Sequence, residues 1–269
     1  MKFFAFVFSF ILFLLASTSV YAVSTTNMTT TSTIKKNDTV FILIHGSGVG
    51  SWIWGKVIPH LSAPAIAIDM PARTGKVNTH TFDEYTQVVV DAMKSVGNKK
   101  VILVGHSIGN EFALAAASKM PQKVAGIVSV GGLVPESGKS YYSLLPLPQR
   151  IVVMTVAFFN KNGLKPPDNM IIASYANDLD KATANEILKK YSYESPKIFS
   201  TPVVWDKLSS DIPRYYITFT KDKSGFSPSQ QEAMAKRLHA DKVFSLDTGH
   251  LGMLSNPKEF ADILNGLVH

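Results

Sequence analysis

No cysteine occurs anywhere in the 269 residues. Disulfides, thiolate metal centres, a cysteine nucleophile and a lipid-modified N-terminal cysteine are all excluded by that absence. Charge is also sparse: Asp, Glu, Lys and Arg make up 17% of the chain against 46% apolar residues, the balance of a globular protein whose core needs no covalent staple. The net charge is +7, but no run of Lys and Arg is interleaved with aromatics. The excess therefore reads as a solvated surface, and no nucleic-acid partner is expected. No pair of histidines has metal-ligand spacing, no internal repeat is visible, and neither a metal nor an organic cofactor is expected.

What the chain does have begins at its N-terminus. Lys2, the apolar run Phe3 to Leu15 and the small residues around Val20-Tyr21-Ala22 make a signal peptide cut after Ala22 the expected reading, with a secreted or periplasmic product. The apolar run is too short for a stable span, so no membrane insertion of the mature chain is expected. Residues 23–39 are rich in Ser and Thr and are expected to form a flexible tether, with the folded domain at 40–269.

Within that domain, strands and helices alternate. Val40 to Ile44 and Ala65 to Asp69 read as interior strands of a parallel sheet, with a helical stripe from Ser51 to Leu61 between them. Thr81 and Glu84 form a capping box before a helix that runs to Gly97. Strand Val101 to Val104, helix Ile108 to Met120 and strand Val124 to Val130 continue the rhythm of a doubly wound α/β sheet. From about 133 to 211 the rhythm is broken by prolines, and this stretch is expected to be a helical cap over the site. Strand Arg214 to Thr220, a helix with Ser227 as N-cap and Pro228 first, strand Val243 to Leu246 and a helix opened by Asn256-Pro257 complete the domain.

The chemistry centres on Gly105-His106-Ser107-Ile108-Gly109, a G-x-S-x-G pattern set directly between a buried strand and a helix. Such a turn lifts the Ser107 hydroxyl clear of the sheet and places it at a helix N-terminus, where free N-H groups hold developing negative charge. A serine nucleophile needs a base, and the base needs a carboxylate to fix its tautomer. Asp222 follows strand Arg214 to Thr220, and His250 follows strand Val243 to Leu246, so a parallel sheet gathers both on the edge that carries Ser107. Asp206 and Asp211 are rival carboxylates on sequence grounds. His45, His60, His80, His106, His239 and His269 read as packing or surface residues. His45-Gly46-Ser47-Gly48 ends the first strand at the same edge, where the backbone N-H groups of Ser47 and Ile108 make a candidate oxyanion hole.

Together, FILIHGSGVGSWIW, VILVGHSIG, Pro202-Val203-Val204-Trp205, RYYITFTKDK with PSQQEAM, and GHLGMLSNP resemble the α/β-hydrolase superfamily. More narrowly, they resemble the plant-type methylesterases and hydroxynitrile lyases with their bacterial esterase relatives. The resemblance implies Ser107 as nucleophile, His250 as base, Asp222 as its orienting acid, and Ser47 and Ile108 as backbone oxyanion donors. The lyases of that group carry a threonine after the first-motif histidine and a lysine after the catalytic histidine; here those positions are Gly46 and Leu251, which favours an esterase. Asn110 departs from the group, where a small residue is common. The expected activity is hydrolysis of carboxylic esters of small apolar or aromatic molecules through an acyl-enzyme. The alternatives are a receptor-like binding protein with little turnover, or a lyase. Tyr141, Tyr142, Phe158, Phe159 and Tyr175 are candidates for an apolar pocket or for the cap's own core. The sequence leaves oligomeric state open.

Overall fold

The computed structural model describes residues 34–269, so the expected signal peptide and most of the expected tether lie outside the described residues. Six strands, β1 Thr39–Ile44, β2 Ala65–Ile68, β3 Lys100–His106, β4 Val124–Val130, β5 Arg214–Phe219 and β6 Lys242–Leu246, form one sheet. Their order is β2-β1-β3-β4-β5-β6 and every neighbouring pair is parallel. The near-continuous apolar runs of β1, β3 and β4 arise because those strands are covered on both faces. Ala65 to Ile68 is an edge strand rather than the interior strand its apolar run suggests, and Ile66 stays exposed on it. A short apolar run looks the same in either position; neighbours settle the matter.

Side chains alternate between two cores. Val40, Ile42, Ile44 and Leu103 point to one face, packed by Phe82, Tyr85 and Val89 of α1 (Phe82–Ser95), by Phe112 and Ala116 of α2 (Gly109–Lys119) and by Met234 and Leu238. Phe41, Leu43, Ile102 and Val104 point to the other, against Ile53, Trp54, Phe260 and Leu264. The capping box of Thr81 and Glu84 opens α1 as the sequence indicates. Ser51 to Leu61 differs: it forms two short 3-10 turns, Ser51–Trp54 and Ile58–His60, because Gly55 separates them and Pro59 lacks the N-H that a continuing helix would use. Ile53, Trp54 and Val57 are still buried as the stripe requires.

Between β4 and β5 lie α3 (Leu147–Phe159), α4 (Asp168–Tyr175), α5 (Lys181–Lys190) and the short α6 (Lys197–Ser200). Ile171, Ala184, Ile187 and Tyr191 of this insertion join the second core, so it shares the packing of the sheet domain. After β5 come α7 (Pro228–Leu238), α8 (Gly252–Ser255) and α9 (Pro257–Asn265), with the Ser227 and Asn256 caps in place. At the start of the described residues, Ile34 is buried, Lys36 N-H donates to the His269 carbonyl at 2.8 Å, and His269 N-H donates to the Ile34 carbonyl at 2.9 Å, so this end of the expected tether is tied to the C-terminal residue.

Candidate active site

Ser107 and Ile108 make the whole connection between β3 and α2. Ser107 sits at φ 53°, a left-handed conformation that costs a non-glycine residue on the order of 1 kcal/mol or more. Neighbouring backbone holds it there: its N-H donates to Val130 at 3.0 Å, and its carbonyl accepts from Leu133 at 3.0 Å and Asn110 at 3.1 Å. The glycines two residues either side are required by space. A Cβ on Gly105 would lie 2.5 Å from Asn110 Cα, and one on Gly109 would lie 2.4 Å from the His45 carbonyl oxygen. Asn110 fits this turn by burying its side chain and donating its amide to the Leu133 carbonyl at 2.9 Å.

Asp222, rather than Asp206 or Asp211, meets His250. The His250 Nδ1-H donates to Asp222 Oδ2 at 2.7 Å, with both side chains almost fully buried. That bond fixes the tautomer and leaves Nε2 as the basic nitrogen. Burial pushes the Asp222 carboxyl upward, but the His250 charge and hydrogen bonds from His250 and Ser224 outweigh it and hold the group below the usual carboxylate range. Gln231 of α7 adds a second anchor: its Nε2 donates to Asp222 Oδ2 at 2.9 Å while its Oε1 accepts the Phe219 N-H at 3.0 Å. The His250 ring packs between Phe219, 6.2 Å away between centroids, and Tyr175, 5.4 Å away.

The first-strand loop lies directly beside the serine, since a Cβ on Gly46 would come 2.8 Å from Ser107 Cβ. Neither the Ser47 N-H nor the Ile108 N-H donates to a backbone carbonyl among the described residues. The loop around Ser47 is tied down on both sides. Burial, followed by the charge of Arg73, lowers the His45 pKa to about 4. His45 is therefore neutral; its Nε2 accepts the Met70 N-H at 3.0 Å, so Nδ1-H donates to the Gly46 carbonyl at 2.8 Å. Burial and then the His250 charge likewise keep His106 neutral, and its Nε2-H donates to the His250 carbonyl at 2.9 Å. Both histidines read as packing residues from sequence; in place, each also holds a backbone carbonyl of the site.

Two groups of residues at this edge gave no signal in the sequence. Glu194, buried, accepts from Gly48 N-H at 3.0 Å, from Arg73 Nη2 at 2.8 Å and from the Tyr85 hydroxyl. Arg73 also donates to the Val49 carbonyl at 3.0 Å, and Ser192 N-H donates to the Gly48 carbonyl at 2.7 Å. The insertion thus grips the Ser47 loop. It grips the other two loops through the turn that follows α4: Asn177 Nδ2 donates to the Lys221 carbonyl at 2.9 Å, and Gly249 N-H donates to Asp178 Oδ2 at 2.6 Å. Each contact falls one residue before Asp222 or His250. Of the cap aromatics, Tyr175 lies at His250, Tyr141 packs on Phe199 at 5.2 Å and Phe226 at 6.2 Å, and Phe158 and Phe159 face solvent. No group of His, Asp and Glu suited to a metal occurs among the described residues.

The chain is similar along most of its length to proteins named as esterases and hydrolases. It is 26% identical to polyneuridine aldehyde esterase of Rauvolfia serpentina, over 83% of this chain and 93% of that one. It is 28% identical to methylesterase 7 of Arabidopsis thaliana, over 86% and 96%. Among solved structures, an extracellular α/β-hydrolase from a Paenibacillus species superposes with a TM-score of 0.74 at 22% identity, covering 86% of this chain and 99% of that one. A pyrethroid hydrolase from Sphingobium faniae does so with 0.68 at 22% identity, covering 85% and 96%. The model of the alpha/beta hydrolase family matches residues 41–263, and the chain belongs to that family.

Proposed function

We propose that the protein is an exported serine carboxylesterase acting on esters of small apolar or aromatic molecules. The observation that carries the reading is the buried Asp222–His250 bond of 2.7 Å, on the sheet edge where Ser107 is held in its strained turn. Ser107 Oγ attacks the ester carbonyl carbon while His250 Nε2 takes its proton; Asp222 holds the imidazolium that forms. The oxyanion is met by the N-H groups of Ser47 and Ile108, each worth roughly 3 kcal/mol at the transition state. His250 then protonates the departing alcohol, and water repeats the relay to release the acid. The names of the relatives, esterase and methylesterase, support ester hydrolysis. Leu251 supports it over a lyase, because the position after His250 is an apolar core residue with no cation to hold a leaving cyanide. The leader Lys2 to Ala22 supports export.

The test is hydrolysis of a short-chain p-nitrophenyl ester by wild type and Ser107→Ala, with circular dichroism to show equal folding. The expected outcome is turnover in the wild type and a loss of about 10⁴-fold or more in the variant. A variant that keeps its rate removes Ser107 as nucleophile. A folded wild type inert toward a panel of methyl and aryl esters overturns the reading in favour of a ligand-binding relative.

A further inference from the structure

Helix α3, Leu147–Phe159, carries no acidic residue and one cation, Arg150, which donates to the Leu145 carbonyl at 3.1 Å. A helix this apolar is ordinarily buried all round, yet only Ala157 of its residues is buried. Its outer stripe stands in water: Leu147 is 65% exposed, Ile151 56%, Phe158 63% and Phe159 67%. Leu147, Ile151, Phe158 and the half-exposed Met154 stand at i, i+4, i+11 and i+7, one face of the helix, and Phe159 extends that strip at its end, its ring 5.3 Å from that of Phe158 between centroids.

The surroundings of the strip are cationic. Lys161 Nζ sits 4.8 Å from the centre of the Phe158 ring. Asn78 N-H donates to the Asn162 carbonyl at 2.6 Å, which brings the preceding pair, exposed Lys76 and Val77, beside the same turn. Lys165 follows and lies 3.7 Å from Asp168, the first residue of α4. A two-fold contact with a second copy would bring two sets of these lysines together with no acid on α3 to pair them, whereas an anionic surface is complementary to them.

We propose that α3 and the Lys76–Val77 turn form a docking face for anionic phospholipid bilayers. Leu147, Ile151, Phe158 and Phe159 enter the interfacial region while Lys76 and Lys161 meet the headgroup phosphates. The helix lies on the membrane and does not span it: no helix among the described residues is long and apolar enough to cross one. This binding does not depend on the esterase chemistry.

The experiment is co-sedimentation of the chain lacking residues 1–22, which removes the apolar leader, with vesicles of phosphatidylglycerol and phosphatidylcholine or of phosphatidylcholine alone. The expected result is partition to the anionic vesicles, about tenfold weaker in Phe158→Asp and in the Lys76→Glu, Lys161→Glu pair, and weakened by salt in the wild type. The substituted side chains are exposed, so melting temperature and hydrolysis of a soluble ester are expected to stay at wild-type values in both variants. Failure of the wild type to bind anionic vesicles overturns the proposal. Binding unchanged in Phe158→Asp overturns it as well. A wild-type dimer in light scattering that Phe158→Asp converts to monomer overturns it in favour of self-association.

Discussion

Asp222 and Glu111 show how differently the same fold treats two buried carboxylates. Asp222 is buried but receives hydrogen bonds from His250, Gln231 and Ser224, so its charge is kept. Glu111, in the first turn of α2, is buried with neither carboxylate oxygen hydrogen-bonded among the described residues. A helix N-terminus favours a carboxylate by about 1 kcal/mol at most at typical sites, while desolvation costs several, so burial wins and pushes Glu111 well above the usual carboxylate range. A group raised in the folded state contributes its full stability below the unfolded pKa, near 4.3, and loses it as pH climbs toward the folded value. Glu111→Leu is therefore expected to stabilise the protein by about 1–3 kcal/mol at pH 8 and by less at pH 4. Thermal melts at the two pH values check this; an equal shift at both would show that ionisation plays no part.

At the scale of elements, the insertion does more than lie over the sheet. The turn after α4 holds the two loops that carry Asp222 and His250, through Asn177 to Lys221 and through Asp178 to Gly249. The hydrogen bond to Gly249 N-H requires an acceptor, not a charge. On the proposed mechanism, with His250 as the base, Asp178→Ala is expected to lower kcat by about 10- to 100-fold with little change in KM, since a small misplacement of that base would weaken proton transfer more than binding. Asp178→Asn keeps an acceptor oxygen and is expected to recover most of that loss. Steady-state kinetics on a soluble ester decide the point: equal losses in both variants would show that the carboxylate charge is what matters.

For the whole molecule, the Arg73–Glu194 pair fastens the insertion to the sheet domain. The two residues lie 2.8 Å apart and nearly buried, and their partners Tyr85, Gly48 and Val49 belong to the sheet domain. Removing one member leaves the other charge buried and unpaired, which costs more than the pair itself contributes. Glu194→Ala is expected to lose about 3–5 kcal/mol of stability in urea denaturation. The Glu194→Ala, Arg73→Met double variant is expected to lose less than the single one. An additive double variant would mean that the two side chains act independently.

The sequence by itself determined the alternation of strands and helices, because apolar periodicity and caps such as Thr81-Glu84 and Ser227-Pro228 are local. The Ser107 turn was legible too: a serine with glycines two residues to either side matches a strand-to-helix turn that has no room for a Cβ at Gly105 or Gly109. The placement of Ser107, Asp222 and His250 after β3, β5 and β6 was legible for the same reason, since a parallel sheet places all strand ends on one edge. Only the tertiary structure decided that β2 is an edge strand, that Asp222 rather than Asp206 or Asp211 meets His250, and that Glu194 pairs with Arg73 across 121 positions. Those outcomes depend on which distant segments come within hydrogen-bonding distance, and a contact of that kind leaves no period, cap or spacing in the chain.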